Sequence, residues 1–598
     1  MFGSIDIKQV FKSLSVGIVF GLFIQLLGLV ICFCLDVSLG SLSHTFYWLG
    51  LLLGTFFVNS KSINSRSSVV LSIIINVSVT LLLVLMAKQF YSLNYDGMES
   101  HQETIVCLTS GWNPIKDSGF AEAEKFKETY PLLVDSKYAP GGTSLRVGYL
   151  LSAVIVKATG NMESGKAINL IYSWMLFVIS MWVFLDVFKR KLPSVFLSLL
   201  VVLNPISIVQ WFSYYADGQL AVVFSALILL IVSSWRSVDV YKTILFCMLA
   251  LVLAASKLVG IGLVGLIVGV IFLRILYLNR RNTKQLSKIV AGFTLFVGLA
   301  IMVGHLSGYY DLKKNDFPFH PARISGILDP EKLDYWIGAE IPGSSKAYPM
   351  KGMNRFEQFV ASNFSSSNIS REKLLWKLPF TVQAEELNTF RGIHTDLRLG
   401  AFGPLYGGLL LLALFCFFAY LINVNPRQWD RSMLGILLVL LLPCFFLPTW
   451  WARWIPQMWL LPLVLLILGA HASAPNVENR KNARMIDLSA SGSTVRFMSK
   501  VGLGLMFINS FIVLICNLSG HYREKIQLEA ELDEVESWNS PVVMFSHEFL
   551  SNRLWLADRG IAFEIVKKPF EDADKVFTRS GTRLKKLDKK LVDYGSVK

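Results

Sequence analysis

The chain has 598 residues, of which 53% are hydrophobic and 17% are charged, and its mean hydropathy is +0.51. Soluble domains carry about 25% charged residues, so the composition excludes an ordinary soluble protein and indicates a polytopic membrane protein. The net charge of +15 comes from Lys and Arg that lie mostly between apolar runs, where the positive-inside rule accounts for them. We therefore predict no nucleic-acid partner.

Apolar runs of about 20 residues can cross a membrane. The run that follows the N-terminal stretch 1–14 has no small-residue cleavage signature, which predicts a retained first span. The pattern as a whole predicts an α-helical polytopic membrane protein with about 13 transmembrane helices and large outer-side loops. The predicted spans are 16–35, 45–59, 68–87, 166–188, 192–209, 219–234, 242–256, 258–279, 288–307, 401–422, 433–449, 456–472 and 501–519.

Basic residues indicate which connections face the cytoplasm. Short connections that are rich in Lys and Arg, such as the one with Lys8 and Lys12, alternate with connections that have almost none. The positive-inside rule places the basic connections in the cytoplasm. The segments that then face outward are 88–165, 210–218, 308–400, 450–455 and 520–598.

This pattern divides the chain into three parts. They are the N-terminal spans 1–67, a transmembrane core 68–519 with outer loops 88–165 and 308–400, and an extracytoplasmic C-terminal domain 520–598. In the last part, PVVMFS and IAFEIVKK are typical of strands and SNRLWLADRG of a short helix, which predicts a small α+β domain. Residues 141–159 place apolar side chains mainly along one stripe, which predicts a helix that lies in the membrane interface.

The stretch YDGMESH follows directly on an apolar run and carries Asp96, Glu99 and His101. Ionisable residues at a membrane boundary are candidates for function, and a partly desolvated carboxylate has the raised pKa that a general base needs. We interpret Asp96 as a catalytic base with Glu99 beside it, and His101 as an acceptor-side residue. The alternative is a helix cap, because Asp96 and Glu99 have the spacing of a capping box.

Other candidates fall on the same predicted face. Lys137 and Tyr138 in KYAPGG can reach an anionic group. Asp217 in QWFSYYADGQ is a second carboxylate, unless it serves only in an Asp-Gly turn. Lys257 in LAASKLVGIG and Arg453 in PTWWARWIPQMW are cations at helix ends. As an alternative, Lys257 can simply extend its charge to the membrane surface, and the Trp residues can form an interfacial belt. The belt does not explain Arg453, whose guanidinium suits bidentate binding of phosphate.

The second large outer loop adds polar residues that can contact an acceptor. Each of them is alternatively a structural residue of a long loop. They are His320, Arg323, His394, Asp396 and Arg398.

Two acids and several cations thus gather at one predicted membrane surface. A transporter places its polar groups near the middle of the membrane. This grouping instead suits a reaction between a phosphate leaving group on a lipid and a nucleophile presented from outside, with the cations stabilising the departing phosphate. Two carboxylates on one face can also share a divalent metal such as Mg²⁺ or Mn²⁺.

The order of these motifs resembles the GT-C superfamily of polytopic glycosyltransferases, in particular bacterial enzymes of the aminoarabinose-transferase and protein-mannosyltransferase type. The resemblance covers residues 70–470 and rests on an outer-loop acid, GWNP, YAPGG, YYADG, a Lys in an apolar run, GAFGPLYG and WARWIP in that order. The chain departs from the family pattern because two predicted spans precede the one that leads to Asp96. It also has Gly97 rather than a second acid after Asp96, which argues against an obligatory metal.

The resemblance implies a polyprenyl-phosphate-linked sugar as donor, usually on undecaprenyl phosphate in bacteria, and inversion at the anomeric carbon. It implies that Asp96 activates the acceptor and that Asp217 is a second or metal-associated acid. It also implies that Lys257 and Arg453, and more weakly Lys137, bind the lipid phosphate. The implied acceptor is a lipid, glycan or protein of the cell envelope, and the implied location is the bacterial inner membrane with the site facing the periplasm.

Two alternatives stay open. An O-antigen polymerase or ligase also uses lipid-linked glycan, but it depends on outer-loop Arg and His more than on an acid after a span. A lipid-linked sugar flippase or transporter would move its substrate without forming a glycosidic bond.

Overall fold

The computed structural model is mainly helical. Its longest helices pack into one bundle, and a small sheet follows at the C-terminal end. The structure describes residues 6–40, 42–59, 66–115, 125–128, 130, 132–133, 147–234, 239–279, 287, 290–296, 298, 353–367, 374–423, 431–446, 451–470, 491–545, 549–566 and 572–587.

In this part of the chain, six helices are long and apolar enough to cross a membrane. Several other predicted spans correspond to shorter apolar helices, and the predicted spans 288–307 and 433–449 are described only in part. The α-helices are Ile7–Cys34, Thr45–Asn59, Arg66–Lys88, Gln102–Thr109, Val147–Thr159, Ala167–Phe188, Lys191–Val202, Pro205–Ile208, Asp217–Ser234, Val240–Ser256, Leu258–Asn279, Arg355–Asn363, Ala384–Arg391, Tyr406–Asn423, Arg431–Leu441, Pro443–Phe446, Leu460–Ala470, Ser491–Ser537 and Leu550–Asp558.

The first two helices form a close hairpin. A Cβ atom at Gly50 would lie 2.5 Å from the carbonyl oxygen of Phe20, and one at Gly54 would lie 2.8 Å from that of Val16. Small residues allow such close backbone approach, which is how helices pack in lipid, where the hydrophobic effect contributes little.

Three lysines from connections that the charge pattern predicts to be cytoplasmic lie at one end of the bundle: Lys8, Lys12 and Lys242. Asp186, near the end of one helix, accepts from Lys8 at 2.5 Å and from Lys242 at 3.0 Å. The cation of Lys12 lies 3.7 Å from the ring centre of Tyr241. We name this end the basic end, and the other end, where the helix Asp217–Ser234 begins, the site end.

The predicted span 192–209 is wrong as a single helix. The chain breaks between the helices Lys191–Val202 and Pro205–Ile208. Asn204 caps the second helix by accepting from the Ile206 N–H at 3.1 Å, and it donates to the Pro456 carbonyl at 3.1 Å. Pro at the first position of a helix lacks only an N–H that would have no partner there, so Pro205 starts a new helix.

The helix predicted within 141–159 is observed at Val147–Thr159, but its burial differs from the prediction. Its residues from Val147 to Val154 are all buried, because it packs against the helix Gln102–Thr109 and the 3-10 turn Met162–Lys166. A Cβ atom at Gly148 would lie 2.4 Å from Gln219 Oε1. Protein therefore surrounds most of this helix, where a single apolar stripe was expected.

The C-terminal domain has the predicted α+β character. The strands Val542–Phe545 and Phe563–Val566 pair in parallel around the helix Leu550–Asp558, and Arg583–Lys586 pairs antiparallel with the first strand and with Lys575–Val576. The helix Ser491–Ser537 leads into this domain without a break, so the predicted boundary at 519/520 lies within one continuous helix.

Candidate active site

Asp96 lies at the site end, just before a π-helix. Its backbone is helical, with φ −61° and ψ −31°, and its side chain makes no capping hydrogen bond. The capping-box alternative is therefore wrong for Asp96. The next residue is Gly97. A Cβ atom at this position would lie 1.9 Å from Asn94 Oδ1, so a larger side chain would clash there. Glu99 lies within the π-helix Gly97–His101.

Asn169 fixes the loop that carries Asp217. Its side-chain amide donates to the carbonyls of Gln210 at 2.7 Å and Ser213 at 2.8 Å, and its oxygen accepts from Gln219 at 2.7 Å. Asp217 then begins a helix, where the partial positive charge of the helix N-terminus favours a carboxylate. The loop is thus a rigid support for a buried acid.

Five ionised residues form what we name the charged cluster: Asp217, Lys257, Asp396, Arg398 and Arg453. Lys257 Nζ lies 2.6 Å from Asp217 Oδ1, and Arg453 lies 3.8 Å from Asp217 Oδ2. Lys257 has extended backbone between two helices, which turns its side chain out of the helical path. Burial alone would lower the pKa of Arg453, but the carboxylates of Asp396 and Asp217 hold it above its ordinary value.

Asp396 joins the two arginines of the cluster. It accepts from Arg398 at 3.0 Å and lies 3.2 Å from Arg453 Nε. Trp451 donates its indole N–H to the same carboxylate at 2.8 Å. Both guanidinium carbons also lie over the Trp451 ring, at 4.3 Å for Arg398 and 4.2 Å for Arg453. Ion pairs and ring contacts together fix where both cations point.

The corner GAFGPLYG anchors the Asp396 segment to the helix Ser491–Ser537. Gly400 and Gly403 have positive φ angles of 57° and 99°, a conformation that favours glycine. Asn509 of the long helix accepts from the Leu405 N–H and donates to the Phe402 carbonyl, both at 2.8 Å.

A cavity of about 430 Å³ lies beside the cluster. Asp96 and Tyr215 line it together with Asp396 and Arg398. Other lining residues come from the segment before Asp96, from 389–399 and from the C-terminal domain: Leu93, Asn94, Tyr95, Met98, Thr389, Ile393, His394, Thr395, Leu397, Leu399, Phe549, Arg579 and Ser580.

Tyr215 lies between Asp96 and the charged cluster. Burial raises its pKa well above the ordinary value, and the neighbouring carboxylate of Asp96 raises it further. Its ring lies 5.9 Å from the guanidinium carbon of Arg453. The phenol therefore stays protonated and can donate a hydrogen bond within the site. His101 packs behind it, with ring centres 5.0 Å apart, and is not among the residues that line the cavity.

His394 lines the cavity as a neutral imidazole at neutral pH. Burial lowers its pKa to about 4, and the nearby Arg579 adds to this effect, while Glu524 and Asp396 oppose it. A neutral imidazole can donate or accept a hydrogen bond, but it adds no positive charge for binding an anion.

The structure thus brings together most of the residues predicted from the sequence, with one change of place. Arg398 was predicted at the acceptor side, but it is the cation of the charged cluster that lines the cavity. Lys257 and Arg453, predicted to bind the phosphate, are not among the residues that line it. Four predicted residues lie outside the described part of the chain, as does the side chain of Glu99. They are Lys137, Tyr138, His320 and Arg323.

Sequence reasoning missed Tyr215, Trp451 and Arg579 as site residues. Tyr215 stands two positions before Asp217, so its place in the same loop was a usable signal. Arg579 gave no signal, because a basic residue in a C-terminal domain far along the chain resembles any surface cation.

Among the described residues, no group of three or more His, Cys, Asp or Glu lies together in a way that could hold a metal ion. The Asp217 and Asp396 carboxylates instead contact basic side chains.

The sequence matches no model of a protein family and no curated protein. Among solved structures, it is similar to ArnT from Cupriavidus metallidurans in the apo state, with 12% identity, a TM-score of 0.39 and coverage of 83% of this chain and 86% of that one. It is also similar to ArnT from the same organism bound to undecaprenyl phosphate, with 13% identity, a TM-score of 0.38 and the same coverage. A TM-score this low carries no conclusion about function, which has to come from the site.

Proposed function

We propose that the protein is an integral membrane glycosyltransferase that transfers a sugar from a polyprenyl-phosphate donor to an acceptor of the cell envelope, with inversion at the anomeric carbon. The observation that carries this proposal is the shared cavity, in which the carboxylate of Asp96 and the guanidinium of Arg398 face the same space.

The charged cluster suits a phosphate leaving group. Its three cations exceed its two carboxylates by one charge. Departure of a phosphodiester as a monoester adds one negative charge, so a preorganised cationic site stabilises the transition state more than the ground state. Arg398 reaches the phosphate from the wall, and Arg453 and Lys257 supply positive charge behind it.

The reaction is a single displacement. Asp96 accepts the proton of the acceptor hydroxyl or amine, whose oxygen or nitrogen forms a bond to the sugar C1. The bond between C1 and the phosphate oxygen breaks, and the polyprenyl phosphate leaves with its electron pair. No general acid is needed, because a phosphate monoester is a stable anion. Tyr215 donates towards Asp96 and keeps that carboxylate oriented.

A divalent metal has no step in this mechanism, because the cations of the cluster supply the charge that the phosphate requires. Mg²⁺ or Mn²⁺ stays a prediction of the sequence. Addition of a chelator to the transfer assay tests it, and loss of transfer that Mg²⁺ restores would require a metal in the scheme.

The proposed location is the bacterial inner membrane, with the site end in the periplasm. Lys8 and Lys242 meet at the basic end, and the positive-inside rule places such an end in the cytoplasm. Labelling of single cysteines introduced at positions 96 and 8 with a membrane-impermeant reagent tests this orientation, which requires reaction from opposite sides.

The direct test combines the purified full chain with a radiolabelled polyprenyl-phosphate sugar and envelope acceptor fractions. Transfer of label into a new glycosidic bond supports the proposal. Movement of labelled lipid across liposomes without a new bond would identify a flippase or transporter instead. Transfer of whole oligosaccharides that depends on His394 and not on Asp96 would identify a polymerase or ligase. Mass spectrometry of envelope glycans with and without the protein identifies the sugar and the acceptor.

A further inference from the structure

The C-terminal domain shares its hydrophobic core with the two segments that carry the site. Leu93 and Met98, which flank Asp96, are 2% exposed, and Ile393, next to His394, is 1% exposed. All three belong to one apolar cluster with residues of the long helix and of the domain. The domain members of that cluster are Val542, Met544, Trp555, Leu556, Ile561, Phe577 and Leu584.

Arg579 ties the same two segments together. Its Nε donates to the carbonyl of Leu93 at 3.2 Å, and its Nη2 donates to the carbonyl of Gly392 at 3.0 Å. The first contact lies three residues before Asp96, and the second lies two residues before His394 and four before Asp396. One guanidinium thus bridges the backbone of the segment that carries the proposed base and the segment that carries the charged cluster.

Further contacts place the domain against the cavity itself. Phe549 packs edge-on against Tyr95 with ring centres 5.4 Å apart, and Phe549 and Ser580 line the cavity. Trp555 packs against Tyr91, at 5.9 Å, and contacts buried Glu163 at 3.4 Å. Glu163 in turn accepts from the Ser92 N–H at 3.0 Å.

We propose that the C-terminal domain is a structural part of the active site, and that Arg579 is a positioning residue that sets the separation of the Asp96 segment from the Asp396–Arg398 segment. The geometric part of this inference stands on the contacts, and its consequence for turnover rests on the proposed function. The planar fork of Arg can hold two carbonyls at fixed positions, whereas Lys is a point donor on a flexible stem. Arg579→Lys therefore keeps the charge and loses the bridge.

The first test needs no substrate. Hydrogen–deuterium exchange is followed in the full-length protein in detergent for wild type, Arg579→Lys and Arg579→Gln. We expect amides in 93–101 and in 391–398 to exchange faster in both variants, while the bundle residues 167–188 stay unchanged. The matched control is Lys585→Ala in the same domain, because Lys585 pairs with Asp572 at the surface. Unchanged exchange in either segment, or the same change in the control, overturns the inference.

The second test measures turnover and donor binding separately. A small displacement of catalytic groups costs about 10²-fold in rate, so we expect Arg579→Lys to lower kcat by roughly 10- to 100-fold. We expect the Kd for undecaprenyl phosphate to stay within about twofold, because Asp396 and Trp451 hold Arg398 independently of Arg579. Wild-type kcat in Arg579→Lys, or a weaker Kd with unchanged kcat, overturns the positioning role. If wild type itself transfers no sugar, the proposed function fails, and the exchange test still decides the geometric inference.

Discussion

Lys257 and Asp217 form an ion pair in which Nζ lies 2.6 Å from Oδ1. The acid begins one helix, and the cation stands in the break between two others. The side chains are only 5% and 18% exposed, so water contributes little to the neutralisation of either charge. Under the proposed function, the lipid phosphate would take over part of the role of this carboxylate when it enters the cluster.

Asp217→Asn should destabilise the protein chiefly when no donor lipid is bound. Removal of one partner of a buried pair costs about 3 to 5 kcal/mol, because the other charge is left without compensation. We expect a lower melting temperature in detergent and a larger rise on addition of undecaprenyl phosphate than in wild type. The double variant Asp217→Asn/Lys257→Met should recover part of the loss. Asp572→Asn, at the surface of the C-terminal domain, is the control, and an equal lipid-induced rise in Asp217→Asn and wild type would contradict the prediction.

Asp96→Asn should abolish transfer and leave the fold intact. A positioned general base contributes about 10² to 10⁴ in rate, and Asn cannot accept the proton. Single-turnover measurements with radiolabelled donor lipid give the rate, and thermal melting with donor binding checks the fold. Asp572→Asn should retain the full rate. Substantial turnover in Asp96→Asn would remove Asp96 from the role of base.

The sequence could identify Asp96 and Asp217 because both stand where an apolar run meets a polar loop. It could not decide between a base and a cap at Asp96, since the spacing to Glu99 satisfies both. The helical backbone of Asp96 excludes the capping box, and the role of base stays a prediction. Contacts between distant segments, such as Asp396 with Arg453, leave no local pattern, because packing of the whole bundle creates them. The helix break at Pro205 could have been predicted from the proline itself, and the prediction of one continuous span over 192–209 was wrong.

Arg398→Ala should weaken binding of undecaprenyl phosphate. Hydrogen bonds to charged groups contribute about 1.5 to 3 kcal/mol, which corresponds to roughly 10- to 150-fold in Kd. Arg453→Ala should weaken binding as well, because Arg453 meets the same carboxylate of Asp396. Quenching of Trp fluorescence is a suitable measurement, since Trp451 contacts both guanidiniums. Arg190→Ala, at an exposed position near the basic end, is the control. An unchanged Kd for the donor together with a raised KM for the acceptor would mean that Arg398 contacts the acceptor and not the phosphate.

His394→Asn should make the protein less sensitive to acid. The folded-state pKa of His394 is lowered to about 4 by burial and then by Arg579, whereas an unfolded His titrates near 6.5. As the pH falls from about 6.5 towards 4, the unfolded chain binds the proton first, so wild-type stability falls through this window. Between pH 7 and pH 5 the lost stability is about 2 kcal/mol for this one group. We expect the drop in melting temperature from pH 7 to pH 5 to be smaller in His394→Asn than in wild type.

His44→Asn is the control and should show the same drop as wild type. Donor affinity at pH 7 should be unchanged in both variants, because a neutral imidazole provides no charge for the phosphate. The same drop in His394→Asn as in wild type would mean that His394 titrates in the folded protein as it does in the unfolded chain.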